Sequence, residues 1–287
     1  MIIDGTKIAK EIRAEIRQEI QFFSHLRQPC LAVIQVGDNP ASNIYIKNKI
    51  KACTEAGILS KRVNFPPNVS EHELLSNISE LNKDDAIDGI LVQLPLPAHI
   101  NPVLINRTIS VFKDVDGFHP YNLGKLLLGE TDGFFSCTPL GIITMLQRIN
   151  ISTAGKQAVI LGRSNIVGKP LAALLMQNAP TGNATVTVLH SKSPNIAEHC
   201  RNADILIAAM GQPRFVKADM VKDGAVVIDV GINREGEGGL VGDTDFAALL
   251  PKCSAITPVP GGVGPMTIAM LLSNTLKSYK QHQGLDV

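Results

Sequence analysis

Short apolar runs bounded by Gly, Pro, Asn and Asp recur along the chain, with helical-period segments between them. Residues 31–36 form one run, closed by Gly37-Asp38-Asn39-Pro40, and residues 87–93 form another, closed by Pro95 and Pro97. Behind Thr6, in the position of an N-cap, Ile8, Ile12, Ile16 and Ile20 recur at every fourth position, the spacing of a buried helical stripe. A helix is expected over 42–56 and another over 139–149. Further strand runs lie at 157–161, 184–189, 205–208 and 225–230, with a last short one near 255–256. A helix from Thr267 to about Tyr279 ends the series. Strand and helix alternating in this way predict an α/β fold with mainly parallel sheets. No internal repeat or low-complexity tract interrupts it.

One stretch fits neither element. Pro258-Val259-Pro260-Gly261-Gly262-Val263-Gly264-Pro265-Met266-Thr267 is dense in glycine and proline, then gives way to Ile268-Ala269-Met270-Leu271-Leu272. Glycines let a ligand approach the main chain, and prolines stiffen the path between them. The reading is a rigid, ligand-holding loop that ends at an N-cap on Thr267; the alternative is an interdomain turn.

Composition narrows the function classes. The 287 residues are 45% hydrophobic and carry a formal charge of +1. That is enough for a large core in two domains and offers no general attraction for nucleic acid or a membrane surface. With three Tyr and no Trp, stacking platforms for bases are not expected. Five scattered cysteines, none in a Cys-x-x-Cys pair, and seven histidines without ligand spacing predict no metal site and no disulfide framework. Neither a signal peptide nor a membrane-length apolar run is present. Glu11, Glu15 and Glu19 argue against a transit peptide, so a soluble, cytoplasmic protein is expected.

The run 157–161 is followed by Gly162-Arg163-Ser164-Asn165-Ile166-Val167-Gly168-Lys169-Pro170 and a Leu/Ala-rich helix. Strand, glycine turn and helix start are the parts of a pyrophosphate site on helix N–H groups. The spacing is read as the dinucleotide fingerprint with Ser164 in place of the middle glycine. At the end of the next strand an acidic residue would accept from a ribose hydroxyl, but this chain has His190-Ser191-Lys192-Ser193. Arg163 with Ser191 suits a phosphate there, which predicts NADP rather than NAD. Solvated surface cations at Arg163 and Lys192 are the other reading.

In the first half, Tyr45 and Lys49 share a helix face, whereas Lys47 points nearly opposite and Lys51 well off it. Gln93 ends an apolar strand, where parallel sheets place ligand groups. Lys113-Asp114-Val115-Asp116-Gly117 sets two carboxylates in a tight loop. Singly, these could be an exposed Tyr–Lys pair and an Asx turn at Asp116.

Together, the segments Ser42-x-x-Tyr45-x-x-x-Lys49, Asp88 through Pro97, Lys113 through Gly117, Gly162-Arg163-Ser164-x-Ile166-Val167-Gly168 and Pro260 through Thr267 resemble the bifunctional methylenetetrahydrofolate dehydrogenase/cyclohydrolase family over nearly the whole chain. A longer segment at 177–183 departs from it and is expected to be a surface loop. The resemblance implies two domains with a catalytic cleft between them. One is an N-terminal α/β substrate domain, 1–142 completed by a C-terminal helix 262–287. The other is a Rossmann-type dinucleotide-binding domain, 143–261.

The resemblance also implies a folate substrate, NADP as cofactor and a homodimer. Lys49, held by Gln93, would be the central catalytic group, with Tyr45 stacked on the folate ring and Asp116 on the pterin edge. Val92, Leu94, Pro260, Gly261, Gly262, Val263, Gly264, Pro265 and Thr267 would complete the substrate contacts. Gly162, Arg163, Ser164, Ile166, Gly168, His190, Ser191 and Ile232 would hold the nucleotide. Alternatives are a shikimate-type dehydrogenase of the same fold and a dinucleotide-sensing scaffold without chemistry.

Overall fold

The computed structural model describes residues 1–236 and 239–286, excepting the side chains of residues 40–42, so Ser42 of the Tyr45–Lys49 motif lies outside the described side chains. The chain forms two compact units. One comprises Lys10–Lys125, Glu130–Cys137 and Ile268–Val287; the other comprises Met1–Ala9, Leu126–Gly129 and Thr138–Thr267.

The first half runs α1 (Gly5–Phe22), β1 (Cys30–Val36), α2 (Pro40–Ala56), β2 (Leu59–Phe65), α3 (Glu71–Lys83), β3 (Gly89–Val92), α4 (Pro102–Thr108) and α5 (Pro120–Leu128). Its sheet is parallel, in the order β2-β1-β3. Every residue of β1, the central strand, and of β3, at the edge opposite β2, is buried, and this is why both appear as apolar runs. β2 is an edge strand whose side chains are exposed or half-buried, so no apolar run announces it. Ala32, Ile34, Ile90 and Val92 pack with Leu74 and Ile78 of α3 and Ile105 of α4 into one core cluster.

The second half runs α6 (Cys137–Arg148), β4 (Gln157–Leu161), α7 (Gly168–Met176), β5 (Thr185–Leu189), α8 (Ile196–Arg201), β6 (Ile205–Ala208), β7 (Val226–Asp229), β8 (Asn233–Glu235), β9 (Gly239–Val241), α9 (Phe246–Leu249), β10 (Ala255–Ile256) and α10 (Val263–Gln283). Five of its strands form a parallel sheet ordered β10-β7-β6-β4-β5, and β8-β9 is an antiparallel hairpin. That order, with the reversal beside β4, is a doubly wound dinucleotide-binding topology. Met1 through Ile3 extend the sheet beyond β10, through Ile3 N–H to the Ile256 carbonyl (2.8 Å) and Ile256 N–H to the Met1 carbonyl (2.9 Å). The expected α/β fold with a Rossmann-type half is thus present.

Two helix starts differ from the sequence reading. Asp4, not Thr6, caps α1, with its Oδ1 accepting from the Lys7 N–H at 2.9 Å. A carboxylate at that place satisfies an otherwise unpaired N–H and meets the positive end of the helix dipole. α10 begins at Val263, so Gly264 and Pro265 are helical and Thr267 lies one turn inside. Proline is tolerated in a first turn because its missing N–H would have no partner there. The non-helical part of the glycine–proline stretch is therefore confined to residues 258–262, where the Gly261 carbonyl accepts from the Thr6 N–H at 3.0 Å.

Candidate active site

α2 positions the first two groups. Lys49 is only 8% exposed, while Lys47 and Lys51 on the same helix are exposed and Tyr45, one turn earlier, is half-buried. The Lys49 ammonium donates to Gln93 Oε1 at 3.0 Å. Gln93 follows directly on β3, and its Nε2 donates to the Leu94 carbonyl at 2.6 Å, which fixes the amide with its oxygen toward the lysine. Burial lowers the Lys49 pKa; the Asp116 carboxylate opposes that most strongly, with smaller contributions from Cys137 and Cys53.

The loop between α4 and α5 separates its two carboxylates by role. Asp114 accepts from the backbone N–H groups of Phe118 (3.1 Å) and His119 (2.8 Å) and from Asn122 Nδ2 (2.8 Å). It is the turn-holding residue, and its burial pushes the carboxyl up to about 7. Asp116 is therefore released from the turn. Burial raises its pKa as well, Lys49 draws it back down, and the Cys137 thiol stands beside it. Cys137, one of the five scattered cysteines, is a group the sequence pattern does not single out. Its thiol donates to the Val115 carbonyl at 3.3 Å, and burial and then Asp116 keep it protonated. No spacing in the sequence links it to Lys49. The Val92 side chain is part of the core cluster around β1 and β3.

The other expected substrate contacts belong to the unit of the five-stranded sheet. Pro260, Gly261 and Gly262 lie in the turn, and Val263, Gly264, Pro265 and Thr267 in the first turns of α10. Thr267 Oγ1 shares a 2.9 Å hydrogen bond with Thr138 Oγ1.

In that unit the turn after β4 is cut to backbone dimensions. Gly162 has φ of 124°, and a Cβ there would overlap the Ala209 carbonyl oxygen. A Cβ on Gly168 would overlap the Gly162 carbonyl oxygen, so helix and turn close on each other only with glycine at both places. Gly168 opens α7 one residue beyond the third glycine of the G-x-G-x-x-G fingerprint. Ser164, in the middle position, accepts from the Val167 N–H at 3.1 Å and so braces the turn with its hydroxyl. Arg163 and Ser191 are exposed, and His190 sits at the end of β5 with its N–H on Ser193 Oγ (3.0 Å). Ile166 and Ile232 are 43% and 51% exposed, unusual for isoleucines in ordered loops. The turn, the helix N-terminus and the absence of a carboxylate at the end of β5 fit a phosphorylated dinucleotide. Among the described residues no group of three His, Cys, Asp or Glu side chains is arranged to hold a metal.

Two family descriptions match these two halves. Residues 3–116 match the tetrahydrofolate dehydrogenase/cyclohydrolase catalytic domain, and residues 136–283 match the NAD(P)-binding domain of the same family. The chain belongs to the tetrahydrofolate dehydrogenase/cyclohydrolase family. It is 56% identical over 293 aligned positions to the bifunctional protein FolD of Protochlamydia amoebophila, covering 100% of both chains. The crystal structure of the bifunctional FolD enzyme from Campylobacter jejuni superposes with a TM-score of 0.95 at 51% identity, covering 98% of this chain and 99% of that one. The Trypanosoma brucei dehydrogenase–cyclohydrolase, solved with NADP cofactor and inhibitor, gives a TM-score of 0.93 at 38% identity, covering 98% and 97%. The family relationship thus spans both the Lys49 constellation and the glycine turn.

Proposed function

We propose that this protein is a bifunctional one-carbon folate enzyme in which Lys49 handles the protons. It oxidises 5,10-methylenetetrahydrofolate to 5,10-methenyltetrahydrofolate with NADP and then hydrolyses the methenyl compound to 10-formyltetrahydrofolate. The observation that carries the role of Lys49 is its buried ammonium, bonded to Gln93 Oε1 and drawn on by the Asp116 charge.

The chemistry follows from those surroundings. Hydride loss leaves a cation on the one-carbon bridge, and a lysine whose pKa burial has lowered can meet that cation uncharged. Water adding to the cationic carbon must lose a proton, which Lys49 takes as general base. Ring opening breaks the bond from that carbon to the N5 nitrogen: Lys49 returns its proton to N5 while the hydroxyl on the carbon releases its own proton to solvent as the formyl C=O forms. Gln93 holds the amine in place through both transfers. Asp116 accepts from the amino and ring N–H donors of the pterin, two donors suited to one carboxylate. The Tyr45 ring offers a flat stacking surface. Val92 and Leu94 line this site through their backbone, and residues 260–267 supply the remaining folate contacts.

NADP supplies the hydride acceptor when bound. Gly162, Ser164, Ile166 and Gly168 form its pyrophosphate turn, Arg163, His190 and Ser191 its phosphate end, and Ile232 borders its nicotinamide. In this reading residues 1–142 with 262–287 hold folate and 143–261 hold the nucleotide. A homodimer in the cytoplasm completes the proposal. Among the described residues no helix is long and apolar enough to cross a membrane.

Methenyltetrahydrofolate supplied directly, without nucleotide, tests the role of Lys49. The parent protein should hydrolyse it and a Lys49→Met variant should not. Equal hydrolysis by both would remove Lys49 from the reaction.

A further inference from the structure

β6 and β7 end side by side, with Ala208 paired to Asp229. The chain leaves β6 through residues 209–211 and β7 through residues 230–232, then returns by the β8–β9 hairpin to Gly242-Asp243-Thr244. Two carboxylates bind these segments together. Asp229 Oδ1 accepts from the N–H groups of Gly231 and Asp243, both at 2.9 Å, and its Oδ2 from the Thr244 N–H (2.8 Å) and hydroxyl (2.6 Å). Asp243 Oδ2 accepts from the N–H groups of Met210 (2.6 Å) and Gly211 (2.9 Å), and its Oδ1 from Asn233 Nδ2 (2.9 Å).

The glycines make the arrangement reciprocal. A Cβ on Gly231 would overlap the Asp243 carboxylate, and a Cβ on Gly242 would overlap the Asp229 carboxylate. Each carboxylate fills the space where the other loop lacks a side chain. Both residues are buried, Asp229 at 2% and Asp243 at 0% exposure. The bonds named above come from neutral N–H and O–H donors rather than from a lysine or arginine. Burying a carboxylate on neutral donors is a costly way to secure loops that apolar packing could hold.

What these bonds fix is the ligand side of the sheet. Residues 209–211 abut the glycine turn, since the Ala209 carbonyl lies where a Gly162 Cβ would be. Gly231 and Asn233, the neighbours of Ile232, are both tied to the carboxylate pair, and Ile232 between them is held exposed. In a doubly wound sheet the pyrophosphate sits at the first turn, and the second half of a dinucleotide crosses the carboxyl ends of the strands beyond the switch point. Here those strands are β6 and β7.

We propose that Asp243, supported by Asp229, is a positioning residue for the nicotinamide half of NADP, setting the height of residues 209–211 and of Ile232 against the ring. The proposal rests on the NADP dehydrogenase reading and adds to it the residues that aim the hydride acceptor. Its effect is on hydride transfer and not on the hydrolysis that Lys49 carries out.

The test uses the full chain with Asp243→Asn, and with Asn233→Ala as a milder variant that removes one donor to the same carboxylate. Dehydrogenase kinetics are measured with NADP varied, alongside hydrolysis of methenyltetrahydrofolate without nucleotide and the kinetic isotope effect on a deuterated methylene bridge. Misplacement of a reacting group by about an ångström costs on the order of a hundredfold. The expected result is a fall approaching that size in dehydrogenase kcat for Asp243→Asn and a smaller fall for Asn233→Ala. The isotope effect should be enlarged and hydrolysis unchanged. A parallel loss of both activities with folded fraction would overturn the proposal, as would unaltered hydride transfer in the folded Asn233→Ala protein. A parent that hydrolyses the methenyl compound but reduces neither NADP nor NAD would instead overturn the dehydrogenase reading, and the proposal with it.

Discussion

Asp114 and Asp116 stand two residues apart in one loop and face different partners. The first holds the turn through the N–H groups of Phe118 and His119, and the second is left to act on the Lys49 charge. This division converts a loop with two carboxylates into a turn-former and a ligand acceptor.

Asp116→Asn removes the strongest influence that raises the Lys49 pKa. If neutral Lys49 is the base, hydrolysis rises with pH through the lysine pKa. The acid limb of the cyclohydrolase pH–rate profile therefore moves to lower pH in the variant, and KM for folate increases. A profile shifted to higher pH would contradict the pairing.

Asp114→Asn acts on stability. The variant loses acceptors for buried N–H donors, at a cost of about 1–3 kcal/mol. Because the parent carboxyl is raised to about 7 in the fold, its contribution is full below the ordinary carboxylate range and is lost as pH rises through about 7. Urea denaturation across that interval should show the gap between parent and variant narrowing as pH increases.

Lys49→Met separates function from folding. Burial opposes the charged amine, so replacing it with an apolar chain of similar length should leave Tm unchanged or higher. Hydrolysis should fall by about 10²–10⁴, the usual contribution of a positioned base. A thermal melt run beside the hydrolysis assay checks both halves.

Arg163→Ala addresses nucleotide choice. An ionic contact to a phosphate contributes about 1.5–3 kcal/mol, so KM for NADP should rise about tenfold or more while KM for NAD changes little. Equal changes for the two nucleotides would place Arg163 away from the extra phosphate.

Arg27→Ala tests the clamp on the C-terminal helix. Asp88 is fully buried, and burial alone would raise its pKa. Arg27 at 2.7 and 2.6 Å, His282 at 3.0 Å and the Cys30 N–H at 2.8 Å outweigh this and hold it below the usual carboxylate range. The stability it contributes is present above that range and lost as pH falls through the folded pKa. Losing the partly exposed arginine should cost about 3 kcal/mol and move acid unfolding to higher pH.

Much of this architecture is legible in the order of residues because the buried strands announce themselves. β4, β6 and β10 fall on the expected runs, and β1, β5 and β7 within a residue or two of theirs. β2 is invisible to the same reading because an edge strand with polar faces has no apolar run. The starts of α1 at Gly5 and α10 at Val263 differ from those expected because Thr is a good cap by type, whereas the backbone geometry decides which side chain reaches the free N–H. Tyr45 and Lys49 could be paired by helical period. Cys137 beside Asp116, and the crossing of Asp229 with Asp243, join segments distant in sequence, and no local pattern encodes them.

The most direct test is a spectrophotometric assay of the purified protein with 5,10-methylenetetrahydrofolate, run in parallel with NADP and NAD, following reduced nucleotide and methenyl compound as separate signals. The account predicts rapid reduction of NADP, slower reduction of NAD, and little methenyl accumulation because hydrolysis keeps pace. Reduction of neither nucleotide by folded protein would contradict it.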